Sequence, residues 1–338
     1  YHPDICDEGE LYPGEGYITD LITERSLKYI DSMVGSEKPF YLSVHYTAPH
    51  SPWGPEEHPE EFRSLYDNCE FKATPDLPVH PDHIRTGPIG DTPEKRRENL
   101  TGYYAAISAM DAGVGKIVEK LKEKNILDNT VIIFTSDNGM SMGHHGIWGK
   151  GNGTYPPNMY DSAVKVPLII CDPRNKKKGA VCSSMSSQYD MFPTILELAG
   201  CKWDPEPMQP GRSMTEMLRV PEKETDDSIV IYDEYGRTRM IRSRKYKYIH
   251  RYGDGICELY DMIADPDETV NLAEDQKYAS VVSSMRKDME EWFGRYTDEK
   301  ADARKFDVKG RGQQRLCWEK DAFNSRIEFY DTEKKVVL

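Results

Sequence analysis

Thr130-Val-Ile-Ile-Phe-Thr-Ser-Asp-Asn-Gly139 decides how this chain is read. Five apolar or β-branched residues in succession predict a buried strand, and the run breaks abruptly into Ser136, Asp137, Asn138 and Gly139. In an open α/β sheet, ligands collect just past the carboxyl ends of the strands. Asp137 and Asn138 are hard oxygen donors of the kind Ca²⁺ or Mg²⁺ takes, placed where a metal or an oxyanion would be handled. Asp-Asn-Gly is equally an ordinary turn sequence, because Asn and Gly tolerate positive φ. Two ligands do not complete a site, since such cations take six or more oxygens.

Working outward, Lys150 follows Gly139 by eleven residues and ends the run Gly146-Ile-Trp-Gly-Lys150. It lies between glycines, where backbone approaches a ligand closely and an ammonium acts as a point charge on an oxyanion. His144 and His145 either support it by hydrogen bonds or only shape the loop. Upstream, Phe40 to Tyr46 reads as a continuous apolar strand ending in Thr47-Ala-Pro-His50-Ser-Pro52, a loop stiffened by two prolines. His50 there suits anion binding or protonation of a leaving group. A loop histidine that merely satisfies backbone groups would look the same.

Helices are expected over Gly16–Val34, with Leu21, Ile22, Leu27, Ile30 and Val34 on one face, and over Glu94–Lys124. In the second, Ile107, Met110, Val114, Ile117, Val118 and Leu121 recur at helical spacing. Residues 53–92 read as a long surface excursion able to cover a cleft. A strand at 166–171 and a helix from Tyr189 to Ala199, stopped by Gly200, follow. Helix–loop–strand repetition predicts a doubly wound α/β sheet with helices on both faces. Beyond a Pro-rich linker come short strands at 229–235, 238–243, 245–250 and 258–261, then a helix from about Tyr278 to Tyr296. The organisation is therefore an α/β portion over 1–225, a small antiparallel-sheet unit with one helix over 226–300, and a charged tail over 301–338.

A net charge of −14 over 338 residues argues against nucleic acid as a partner, because phosphate backbones demand basic surface. An anionic substrate is not excluded, since a few local cations or a metal can reverse the field inside one cleft. No apolar run is long enough to span a membrane. Seven cysteines form no C-x-x-C pair, which predicts mostly free, buried thiols and leans toward a reducing, cytoplasmic compartment. Oligomeric state is silent in the sequence.

Taken in order, these segments resemble the formylglycine-dependent sulfatases of the alkaline phosphatase superfamily. The resemblance is carried by Lys38 to His50, Tyr104 to Gly115, Asn129 to Gly139, Gly146 to Lys150 and Met191 to Gly200. Arg244 to Ile249 and Glu258 to Ala273 extend it. It implies an alkaline-phosphatase-like sheet with a small C-terminal α+β subdomain. It further implies Asp137 and Asn138 as ligands of Ca²⁺ or Mg²⁺, and Lys150 and His50 as catalytic, sulfate-gripping groups, with His145 beside them. The family's nucleophile is a formylglycine made in a Cys- or Ser-x-Pro/Ala-x-Arg motif. That motif, its preceding Asp-Asp pair and a Gly-Lys-x-His segment are absent here; Cys171-Asp-Pro-Arg174 is the nearest approach. The chain thus reads as the C-terminal part of a sulfatase acting on a sulfated carbohydrate or aryl ester, inactive without the nucleophile. Phosphonate or phosphate ester hydrolysis, and a non-catalytic binding protein on the same fold, are the alternatives.

Overall fold

The structure is a computed structural model that describes residues 3–36, 38–223, 227–232, 237–253, 255–300, 302, 304, 330–331 and 336–337. The expected charged tail over 301–338 lies almost wholly outside the described residues.

An antiparallel hairpin, β1 (Asp4–Asp7) with β2 (Glu10–Pro13), leads into α1 (Ile18–Val34). α1 buries Thr19, Thr23, Ser26 and the expected Ile30, while Leu21, Ile22, Leu27 and Val34 of the stripe that the spacing predicts are only half buried. Close approach explains the change. Gly113 of α3 (Pro93–Glu123) faces Thr23 and the Tyr46 hydroxyl, and a methyl there would overlap Thr23 Oγ1. Two of the buried hydroxyls are satisfied locally, Thr23 donating to the Thr19 carbonyl and Ser26 to that of Ile22, each at 2.8 Å. α3 itself starts where Thr92 Oγ1 accepts from the Lys95 N–H at 3.3 Å with Pro93 in its first turn. Its middle buries small residues, Gly102, Ala105, Ala106, Ala109 and Gly113, with Leu100 and the expected Leu121 buried toward the two ends and the expected Ile107, Met110, Val114, Ile117 and Val118 only half buried.

The stretch 130–139 folds as read, with β3 at Ile132–Thr135. It is half buried, not fully so, and pairs antiparallel with β6 (Leu168–Cys171), Phe134 opposite Ile169. The strand expected at 40–46 alternates in burial as an extended chain does, yet no ladder includes it among the described residues. A strand is defined by its partner's hydrogen bonds, and the side-chain pattern cannot supply one. The excursion over 53–92 is less superficial than expected. It contains the short α2 (Glu60–Arg63) and buries Trp53, Phe71 and Ile84.

Short elements follow: β4 (Ser141–Met142) paired with β5 (Trp148–Gly149), then α4 (Asp161–Val164), α5 (Met191–Leu198) and α6 (Thr215–Arg219). Gly200, at φ +72°, stops the turn after α5 where the sequence places it. The C-terminal region is a four-stranded antiparallel sheet in the order β10-β9-β8-β7, with β7 at Ile229–Tyr232, β8 at Thr238–Arg242, β9 at Tyr246–Arg251 and β10 at Glu258–Asp261. α7 (Ala279–Tyr296) covers one face through Met285, Met289 and Phe293 against Val230, Ile241, Tyr248 and Leu259. The other face, Met240, Ile249 and Tyr260, packs on Met159, with Tyr160 and Val164 alongside. Full burial of each such side chain is worth roughly 1.5–3 kcal/mol, so this second core seats the sheet firmly against the segment leading into α4.

The six described cysteines are unpaired. Four of them (Cys6, Cys171, Cys182, Cys201) are exposed, against the expectation of buried thiols. They sit on strand ends and loops, where no core is available to cover them. Among the described residues no helix is long and apolar enough to cross a membrane.

Candidate functional site

The corner after β3 is built by its own side chains. Asp137 Oδ1 accepts from the Asn138 N–H at 2.9 Å and from Ser136 Oγ at 3.3 Å, while Ser136 Oγ also reaches the Asn138 carbonyl at 3.0 Å. Asn138 Nδ2 donates to the Gly139 carbonyl at 2.7 Å. These bonds leave Asp137 Oδ2 and Asn138 Oδ1 without a protein partner among the described residues.

Two outside grips fix the corner. Gln188 Nε2 donates to the carbonyls of Ser136 and Asp137, both at 2.7 Å. The Gly139 N–H donates to the Ala163 carbonyl at 2.9 Å, so close that a β-carbon at Gly139 would overlap the Ser162 backbone. Glycine is required there by space. Neither Gln188 nor the Ser162–Ala163 backbone stood out in the sequence; a polar residue just ahead of α5 was the one available hint for Gln188.

The β4–β5 ribbon carries the corner toward Lys150, because Ser141 lies opposite Gly149 in the ladder. Lys150 anchors through its carbonyl, which accepts from Gly153 N at 2.9 Å and from the buried Asn158 Nδ2 at 3.1 Å. Its ammonium has no carboxylate partner among the described residues, unlike Lys247 or Lys120.

His50 is exposed, and its Nδ1 lies 2.9 Å from the Ser51 carbonyl. An Nδ1–H donated there leaves Nε2 as the ring atom that can exchange a proton. The loop is pinned by Trp53, whose Nε1 donates to the Pro49 carbonyl at 2.9 Å and whose ring shares a core with Met142 and Trp148 of the β4–β5 ribbon. Residues 86–90 fill the space between: Gly87 faces Ser51, Thr86 faces Gly149, and Gly90 lies against the Trp148 ring. The loops bearing His50, Asp137–Asn138 and Lys150 are thus held around one packing cluster.

His145 is placed differently. It adopts φ +55° and stacks on Tyr160 with ring centroids 3.7 Å apart. Burial, helped by His144, His80 and Lys247, pushes its imidazole down to about 4. It is therefore neutral near pH 7 and cannot supply positive charge to an anion. Cys171-Asp-Pro-Arg174 forms a separate knot, where Arg174 Nε donates to Asp172 Oδ1 at 2.8 Å and Cys171 is exposed at the end of β6.

As to a divalent ion, the donor chemistry of Asp137 and Asn138 fits a hard cation. Among the described residues no cluster of three or more His, Cys, Asp or Glu gathers to complete it.

Comparison with known proteins points one way. The sulfatase family profile matches residues 1–201, and the profile described as N-sulphoglucosamine sulphohydrolase, C-terminal, matches 143–294. An N-acetylglucosamine-6-O-sulfatase of Bacteroides thetaiotaomicron is 28% identical over 94% of this chain and 68% of its own length. A choline-sulfatase of Rhizobium meliloti is 30% identical over 72% of the chain and 48% of its own length. A solved structure in complex with its substrate, D-glucosamine-2-N,6-O-disulfate, superposes with a TM-score of 0.77 at 25% identity, covering 89% of this chain and 74% of that one. The chain accordingly has the sulfatase, alkaline-phosphatase-like fold, and it spans about half to two thirds of these curated relatives.

Proposed function

This chain belongs to the sulfatase family, and from that premise we propose that it contributes the cation corner and the sulfate grip of a sulfuric ester hydrolase acting on sulfated carbohydrate. One observation carries the reading. Two oxygen ligands without protein partners among the described residues, on Asp137 and Asn138, and an ammonium without a carboxylate partner among them, on Lys150, flank one short ribbon. A lysine taken fully out of water needs a carboxylate, as Lys247 has in this protein. A binding site leaves its charges free for the ligand.

In this proposal Asp137 and Asn138 hold Ca²⁺ or Mg²⁺, which when bound supplies Lewis-acid polarisation of the sulfate oxygens. Lys150 takes one sulfate oxygen and offsets the charge that moves outward as the ester S–O bond lengthens. His50 Nε2 holds or delivers the proton that the departing sugar oxygen needs. His145, kept neutral, offers at most one hydrogen bond from the rim. The carbohydrate preference rests on the glucosamine-based relatives.

The residues present do not fit a formylglycine. No Cys- or Ser-x-Pro/Ala-x-Arg run occurs in the 338 residues, and Arg174 of the nearest one is tied to Asp172. The polypeptide by itself is expected not to turn over. Purified protein incubated with Ca²⁺ and glucosamine 6-sulfate or 4-nitrocatechol sulfate should release no sulfate, while isothermal titration should detect sulfate binding that Lys150→Ala weakens roughly tenfold or more. Metal-dependent sulfate release would overturn the assignment of a missing nucleophile, and absence of any Lys150-dependent sulfate binding would overturn the site.

A further inference from the structure

Resting on that reading, we propose that Lys247, far along the chain on β9, is a positioning residue for the Asp137–Asn138 corner, acting through α4. Lysine is almost never fully buried unless it is paired. Lys247 is fully buried, its Nζ 2.5 Å from Asp161 Oδ1, 2.5 Å from Glu268 Oε1 and 3.0 Å from the Met159 carbonyl. Arg242, its partner across the β8–β9 ladder, adds two contacts to Asp161 at 3.4 Å. Glu268 Oε2 accepts from the Asp161 N–H at 2.6 Å. Two acids and two bases thus lock both the side chain and the backbone of the residue that opens α4.

The other end of this four-residue helix grips the corner. Ala163 accepts from the Gly139 N–H at 2.9 Å, and the Ser162 and Ser141 hydroxyls meet at 2.7 Å. From Lys247 to Gly139 every link is therefore a hydrogen bond or ion pair plus one helical turn. A buried ion cluster is a poor way to gain stability, because desolvation cancels much of the attraction, and its best-attested use is to fix registry. Here the registry fixed is that of the C-terminal sheet against the loop carrying the two oxygen ligands. An apolar contact, such as the neighbouring one of Ile249 with Met159, resists separation but not sliding.

Amide hydrogen exchange read residue by residue by NMR on the full chain tests this without cation, substrate or turnover. In Lys247→Met, exchange at the Gly139 amide should accelerate by about tenfold or more while amides in α1 and α3 keep their wild-type rates, as expected of local and not global opening. Gly139 left at its wild-type rate, or accelerated only in step with α1 and α3, overturns the proposal. Should Lys247→Met not fold, Glu268→Gln serves in its place. That variant sets an amide N–H₂ against either Lys247 or the Asp161 N–H, and carries the same two outcomes. Because neither readout involves a sulfate ester, a protein that binds no sulfate yet loosens at Gly139 counts against the functional reading alone. One that binds sulfate with Gly139 unmoved counts against this inference alone.

Discussion

Gln188 Nε2 donates to the Asp137 carbonyl oxygen at 2.7 Å while also holding that of Ser136, so a single amide group bridges two successive peptide units of the cation corner. Both acceptors lie near solvent, and water can replace the amide. Gln188→Ala should therefore cost no more than about 1 kcal/mol of stability. Gln188→Glu should cost more than Gln188→Ala, because a carboxylate has no proton to give and would face two carbonyl oxygens. Urea denaturation of the three proteins checks the order.

Gly102 and Gly115 stand on the same helix with opposite surroundings. A β-carbon at Gly102 would strike the Trp53 carbonyl, whereas Gly115 has nothing within 4 Å of that position. Gly102→Ala should lose about 1–3 kcal/mol by overpacking. Gly115→Ala should gain up to about 1 kcal/mol from helix propensity. Midpoints in urea decide, and sulfate binding should weaken only in Gly102→Ala, because Trp53 pins the His50 loop.

The neutral, stacked His145 makes stability depend on pH. Its folded value, about 4, lies below the ordinary imidazole value of 6.5, so between these pH values the unfolded chain binds the extra proton. Its contribution is complete above pH 6.5 and is lost as pH falls toward 4, at up to about 1.4 kcal/mol per pH unit. His145→Asn, which suits the left-handed backbone and does not titrate, should flatten that part of the stability–pH curve. An unchanged slope would show that the ring is not buried neutral.

The Lys150 ammonium has no carboxylate partner among the described residues, so Lys150→Ala should leave the melting temperature within about 1 °C of wild type. Sulfate affinity should fall roughly tenfold or more, the value of one charge-assisted hydrogen bond. Calorimetric titration and a thermal scan on the same sample separate the two effects.

The ending of β3 in Asp137-Asn138-Gly139, the glycine-flanked Lys150, the proline-bounded His50 and the helix stop at Gly200 were legible because each depends on local chemistry. So were the four C-terminal strands and their helix, whose alternation and turns are written within a few residues of one another. Apolar spacing placed Ile30 and Leu121 inside correctly but missed the small residues that α1 and α3 bury between them. Close helix approach selects small residues, and only the crossing itself shows where Gly113, Thr23 and Tyr46 meet.

Other features had no local signature at all. The 40–46 segment carries a strand's pattern, yet hydrogen-bonded pairing belongs to two segments and cannot be read from one. Burial lowers both His144 and His145, and only the tertiary structure shows that His145 is the one stacked on Tyr160. Sequence alone determined which chemical groups this protein brings, because residue type and turn propensity are properties of short stretches. Tertiary structure decided which of them stay free to bind and which are consumed in holding the fold, as Lys150 and Lys247 illustrate. A lysine's role depends on whether distant chain delivers carboxylates to it.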